Sequence, residues 1–349
     1  MIEVPQILSS RQVQRTADAI AAGQAADGAL EWHPGGHLDP WNSIEAAMGL
    51  DVAGRHPEAA AAYRWLARKQ EDDGSWFAGY QQGVAVDMTR DANFCAYIAA
   101  GTWHHYLASG DRAFAEEMWA TVDGAIGFVL ALQLDAGAIA WARDPSYEIW
   151  PEPLLTSSSC IYLSMLCAIH LAEMLGHERL HWDLAAEELR VAVEVGRGFA
   201  PKESFAMDWY YPALVGALPL EMARARIRAG WTRFVIEGRG ARCVSHRPWV
   251  TSGETSELVL ALHAVGMTDE AVDLFGWLQH LRSDDGMYWT GATWPNGVVW
   301  PQERTTWSAG SVLLAADALS GTSPTARFFT HPRRDDVAAE PLEAVSDPP

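Results

Sequence analysis

Gln70-Glu71-Asp72-Asp73-Gly74-Ser75-Trp76 decides the fold, because looser copies of it recur along the chain. Gln24 to Gly28 leads to Trp32, Gln133 to Gly137 leads to Trp141, and Ser283 to Gly286 leads to Trp289. Each copy follows a stretch with one apolar stripe, and Asp-Gly is a turn signal because glycine takes the left-handed conformation that ends a helix. The striped stretches, about 10–24, 57–70, 112–133, 180–196, 219–234 and 268–281, predict outer helices. Between them lie stretches apolar on every side, which predict buried helices. These start near Asp39, Asp91, Ser157, Asp208, Glu254 and Glu303. Six striped helices alternating with six apolar ones close most simply as an all-α, (α/α)6 toroid of six helical hairpins. The expected single domain covers residues 1–320, and the Pro-, Arg- and Asp-rich remainder, 321–349, reads as a disordered tail.

Composition narrows the function. The chain has 349 residues, Lys+Arg 25 against Asp+Glu 45, and a formal net charge of −20. Such acidity argues against nucleic acid or an anionic membrane surface as partner. A hydrophobic share of 49% supports a large core. No signal-like N-terminus and no apolar run of spanning length stand out, and Cys95, Cys160, Cys167 and Cys243 are too few for a disulfide scaffold. A cytoplasmic protein without an integral membrane segment is expected, with its oligomeric state open. Cys160 and Cys167 share a helix face near Cys95, but close Cys-x-x-Cys or His-x-x-x-His spacing is lacking, so buried thiols, no metal and no cofactor are expected. Trp 17 is the outlying number. So many indoles suggest an aromatic-lined cavity or groove.

In a hairpin toroid the inner helices run the same way, and their N-termini meet at one rim. Those N-termini carry Asp39 and Trp41, Asp91 and Asn93, Asp208 with Trp209 and Tyr210, Glu254, and Glu303 with Arg304 and Trp307. Taken singly, each acid reads better as a helix cap than as a catalytic group. As a set, carboxylates interleaved with indoles suit a sugar cavity, where acids protonate a leaving oxygen or activate water. The candidate catalytic acids are Glu303, Asp208, Glu254, Glu257 and Asp39. Glu254 and Glu257 share a helix face, so one should hold its proton to higher pH. Glu303 is expected to open the last inner helix as an ionised base, with Glu257 as its drier acid partner, unless Arg304 clamps it. His37, in the polar loop EWHPGGHLDPW, is a candidate binding group or a solvated loop histidine. Trp41, Asp91, Asn93, Trp209, Tyr210, Trp249, Trp289, Arg304 and Trp307 complete the candidate substrate contacts. His104 and His105, at the far end of their helix, are expected in the core or at the bottom surface.

The Gln70–Trp76 motif resembles the glutamine–tryptophan repeat of squalene-hopene cyclases. Stretches such as GGHLDPW, DANFCAY, MDWYYP and ERTTW resemble actinobacterial toroid proteins labelled prenyltransferase. That resemblance implies an isoprenoid-active prenyltransferase or terpene cyclase, although the Asp-x-Asp-Asp and Asp-Asp-x-x-Asp acids of such enzymes do not occur here. The stretch from Thr102 to Gln133 resembles a hairpin of six-hairpin glycosidases of the glucoamylase type. By helix count, that second resemblance puts catalytic carboxylates among Asp144, Glu148 and Glu152 and at Glu303. The preferred expectation is a glycoside hydrolase-like enzyme acting on a glycan or other small molecule. The prenyl reading and a non-catalytic glycan-binding toroid are the alternatives.

Overall fold

The computed structural model describes residues 2–330. Twelve α-helices are found there: α1 (Ser10–Ala22), α2 (Pro40–Val52), α3 (His56–Lys69), α4 (Ala92–Ser109), α5 (Arg112–Leu130), α6 (Leu155–Leu175), α7 (Leu180–Val195), α8 (Ala206–Leu214), α9 (Leu220–Phe234), α10 (Ser252–Ala264), α11 (Thr268–Leu278) and α12 (Thr306–Ser320). The even-numbered helices are buried on every side; α2 exposes little beyond Asn42. The odd-numbered ones bury a stripe, as Val13, Thr16, Ala17 and Ile20 do in α1. Each even helix packs on the next, and α12 packs back on α2, so the apolar helices form a closed cycle with the striped helices outside.

The glutamine turns fasten the outer layer. Gln70 Nε2 donates to the carbonyls of Gly74 within its own turn and of Thr121 on α5, both at 2.9 Å. Gln24 makes the same pair of bonds to Gly28 and to Glu58 on α3. Gln133 makes them to Gly137 and to Ala185 on α7. Gly74 has φ +86°, and a Cβ there would lie 2.1 Å from the Gly124 carbonyl oxygen, so only glycine lets the turn seat on the next helix.

Two expectations change. The protein is mostly helical rather than all-α, because the loops that precede the even helices carry four small antiparallel sheets: β1 (His37–Leu38) with β2 (Gly79–Gln81) and β3 (Val84–Asp87); β4 (Arg90–Asp91) with β5 (Ala142–Arg143) and β6 (Ile149–Trp150); β7 (Val235–Ile236) with β8 (Gly240–Ala241); and β9 (Trp249–Thr251) with β10 (Gly291–Thr293). Strands this short leave no alternation to read. Residues 331–349 of the expected tail lie outside the described residues. Residues 321–330 pack instead of trailing: Ala326, Phe328 and Phe329 are buried, and Thr325 Oγ1 donates to Asp317 at 2.7 Å. Among the described residues α6 is the one helix long and apolar enough to cross a membrane, and 78% of that stretch is buried within the chain.

Candidate active site

The even helices begin at one rim, and hydrogen bonds link the segments there. The Thr306 N–H donates to the Trp32 carbonyl and Thr306 Oγ1 to that of Glu31, tying α12 to the loop before α2. Thr156 on α6 donates from its hydroxyl (2.5 Å) and its N–H (3.3 Å) to Asp208 Oδ1 on α8. The Ser252 N–H reaches the Thr290 carbonyl and the Thr290 N–H that of Glu303, joining α10 to the segment before α12.

Four of the expected acids stand on this rim and are buried: Asp39, Asp91, Asp208 and Glu254. Asp39 caps α2, accepting from the Asn42 N–H at 2.9 Å, Trp32 Nε1 at 3.1 Å and Asn42 Nδ2 at 2.5 Å, with His37 Nε2 at 3.4 Å. Asp91 caps α4 through the Asn93 and Phe94 N–H groups and accepts from Trp141 Nε1 at 2.7 Å. Burial pushes Asp91 up to about 6 against these donors, with the nearby Asp39 charge adding to the rise. Burial also raises Asp208, whose Oδ2 makes no hydrogen bond among the described residues. Glu254, in the first turn of α10, accepts from Thr251 Oγ1 through Oε2. Asn93 is buried with its Oδ1 unpartnered.

Indoles lie between these acids. Trp41, two residues after Asp39, stacks on Tyr97 at 5.1 Å and meets Trp307 edge-on at 6.3 Å. Trp307 lies over Gly253, the residue before Glu254, so closely that a Cβ there would be 2.2 Å from its ring. The Trp41–Trp307 pair thus joins the segment of Asp39, two residues before Trp41, to that of Glu254, next to Gly253. Trp249 is half-buried beside the rim, donating through Nε1 to the Trp300 carbonyl at 2.6 Å.

Deeper between the helices, a small enclosed cavity is lined by Glu45, Tyr97, Cys160, Tyr211, Glu257 and Phe329, among others. Tyr97 donates to Glu45, while Tyr210 and Tyr211 both donate to Glu257. Burial pushes Glu45 up to about 7, and burial followed by the Glu45 charge pushes Glu257 well above the carboxylate range.

Several expectations are corrected. Glu257 has the dry environment foreseen for it, but it faces this enclosed interior with Tyr210, so neither lies on the rim. Glu303 does not open α12: Thr305 caps that helix, and Glu303 sits two residues upstream, half-buried and without a side-chain hydrogen bond among the described residues. Arg304 pairs with Asp285 rather than Glu303 and lies over Trp289 at 5.0 Å. Trp209 packs outward between α8 and α9, donating to the Arg226 carbonyl and stacking on Phe234. Of the acids implied by helix count, Asp144 and Glu148 belong to an open β5–β6 hairpin and Glu152 is exposed. All four cysteines are free thiols. Sequence reading passed over Glu45, Tyr97 and Tyr211 and gave Trp32 and Trp141 no role at the site. The signal for Glu45 was an acid in the midst of an apolar helix.

No family model matches the chain. A wild-type glycosidase structure has 15% identity and a TM-score of 0.71, covering 89% of this chain and 96% of its own. A glycosidase variant in complex with glucose has 16% identity and the same TM-score, with the same coverage. These likenesses establish a shared helical fold. A curated relative from Mycolicibacterium hassiacum, named MMP endo-(1,4)-3-O-methyl-alpha-D-mannosidase, is 49% identical over 322 residues, 92% of this chain and 89% of the relative. Together with the carboxylate- and indole-bearing rim, this similarity makes the chain a glycoside hydrolase-like enzyme. It belongs to the same family as that mannosidase. The prenyltransferase label is not supported, and neither it nor a purely glycan-binding role is favoured.

Proposed function

We propose that the chain is an (α/α)6 toroid whose catalytic domain, residues 1–320, works in the cytoplasm. There it cleaves internal α-1,4 linkages of a mannose glycan bearing 3-O-methyl groups. The name of the 49%-identical relative supports the substrate. The observation that carries the site is the Trp41–Trp307 contact, which brings together the rim segments that carry Asp39 and Glu254. Indole faces and edges bind the C–H surface of a pyranose, and the flanking carboxylates then stand on either side of a bound sugar. Glu254, anchored through Oε2 to Thr251, is assigned to protonate the leaving glycosidic oxygen. Asp39, held rigidly as the α2 cap, meets the anomeric carbon from the other face, directly or through a water that loses its proton to it. His37, Asp91, Asn93 and Trp249 bind hydroxyls and rings around this pair, and Asp208, Trp289, Glu303 and Arg304 border the mouth.

The test is incubation with an α-1,4-linked 3-O-methylmannose oligosaccharide, read by mass spectrometry. Wild type should yield shorter internal fragments, and Glu254→Gln and Asp39→Asn should each slow this by at least about 100-fold. An intact oligosaccharide with wild-type protein would overturn the substrate. Full activity in a well-folded Glu254→Gln would overturn the site.

A further inference from the structure

The opposite end of the helical cycle holds a second polar cluster that hydrolysis does not use. Asp51, in the last turn of α2, is fully buried. His105 Nδ1 on α4 lies 2.8 Å from its Oδ1 and 3.0 Å from its Oδ2. His56 Nδ1, at the first position of α3, lies 2.9 Å from the same Oδ1. One ligand atom from each residue falls within 4.8 Å of the other two. Tetrahedral zinc bonds of about 2.0–2.1 Å to nitrogen and oxygen place neighbouring ligand atoms about 3.3 Å apart. The two imidazoles now hydrogen-bond to Asp51 at 2.8 and 2.9 Å, about half an ångström inside that spacing, so they need only draw back slightly and give up a proton to admit an ion.

An independent observation points into the same place. His104, adjacent in sequence and fully buried, turns Nδ1 to within 4.0 Å of Asp51 Oδ2, and neither of its ring nitrogens has a hydrogen-bond partner. Tyr63, whose ring packs edge-on against His105, is also buried with an unpartnered hydroxyl. Buried polar atoms are nearly always satisfied, and several orphans around one carboxylate call for a guest. Water could satisfy a hydroxyl. Two or three imidazole nitrogens converging on one carboxylate are instead the donor set of a borderline divalent ion.

We propose that Asp51, His56 and His105, with His104 packed against the same carboxylate, bind a divalent transition-metal ion, zinc by donor type, at the end of the molecule away from the catalytic rim. The ion would join the α2–α3 hairpin to α4 and act structurally. His56 is the part-exposed member and gives the ion its way in, its side chain being 35% exposed against 0% for Asp51. This departs from the sequence expectation of no metal, which looked for paired ligands on one helix rather than for three helices meeting at one carboxylate.

The experiment is elemental analysis of the purified full-length protein, followed by zinc titration of chelator-stripped protein with melting temperature as readout. About one zinc bound per chain and a rise of several degrees on zinc addition are expected. His56→Gln keeps a hydrogen-bonding side chain beside Asp51 but removes an imidazole ligand, so it should fold and lose both signals. A wild-type protein that neither retains nor responds to zinc would overturn the site. A zinc response of full size in His56→Gln would overturn it equally, by showing that the ion binds elsewhere.

Discussion

The Tyr97 hydroxyl on α4 donates to Glu45 on α2 at 2.6 Å, in an interior that Glu257 shares from across the cycle. Burial raises Glu45 from 4.5 to about 7, outweighing the tyrosine bond. The folded chain therefore keeps a proton here that the unfolded chain releases. This contribution to stability is complete below about pH 4.5 and is lost as the pH rises to about 7, at roughly 1.4 kcal/mol per pH unit at most. Glu45→Gln lacks that titration. Its melting temperature relative to wild type should climb between pH 5 and pH 8, and a difference constant across that range would refute the assignment.

The turn glycines differ in what surrounds them, which yields a paired test. Gly74 and Gly110 both take positive φ, +86° and +71°. A methyl at Gly74 would strike the Gly124 carbonyl, whereas at Gly110 it would meet nothing within 4 Å. Gly110→Ala should cost about 1 kcal/mol, the left-handed penalty alone. Gly74→Ala should cost at least about twice that, because the turn must lift from α5. Urea denaturation of both variants gives the comparison; equal losses would mean the seating of the turn on α5 is not what the glycine secures.

That turn was legible in the sequence because its chemistry is local: Gln, Asp and Gly each do their work within five residues and against one neighbouring backbone. The alternation of striped and uniformly apolar stretches was legible for the same reason, and all six outer helices begin within a residue of where periodicity put them. The rim acids were readable as helix starts, since Asp39 and Asp91 do cap α2 and α4. What escaped depends on non-local pairing. Nothing near Trp141 announces that its indole nitrogen reaches Asp91, 50 residues earlier in the chain. Nothing in MDWYYP says that Trp209 turns outward to Phe234 while Tyr210 and Tyr211 turn inward to Glu257. Asp51, His56 and His105 become one cluster only when three helices meet.

Glu303 separates the two views of the site. It lies outside α12 and makes no side-chain hydrogen bond or ion pair among the described residues, so Glu303→Gln should change stability by less than about 0.5 kcal/mol. With Glu254 and Asp39 as the working pair, its turnover should stay within about tenfold of wild type, while Glu254→Gln falls at least tenfold further. Steady-state rates on the same methylated oligosaccharide decide this. A loss in Glu303→Gln as deep as in Glu254→Gln would make Glu303 one of the two catalytic carboxylates, as helix counting implied.

The seating of Trp307 over Gly253 supplies the last test. The indole fits because that position has no side chain: a Cβ would lie 2.2 Å from one ring atom and 2.3 Å from another. Gly253→Ala must push the indole aside while leaving Glu254 in sequence and in its helix, and Trp307→Ala removes the indole outright. If Trp307 and Trp41 form the sugar platform, each change should lower kcat/KM by about 10-fold or more, since a displaced platform misplaces the scissile bond against both carboxylates. The double variant should then be no worse than Trp307→Ala, because with the indole gone the extra methyl has nothing left to displace. Contacting residues show this kind of non-additivity, and distant ones do not. Losses that multiply in the double variant would place the effect of Gly253→Ala on α10 itself, and the platform would not be what positions the substrate.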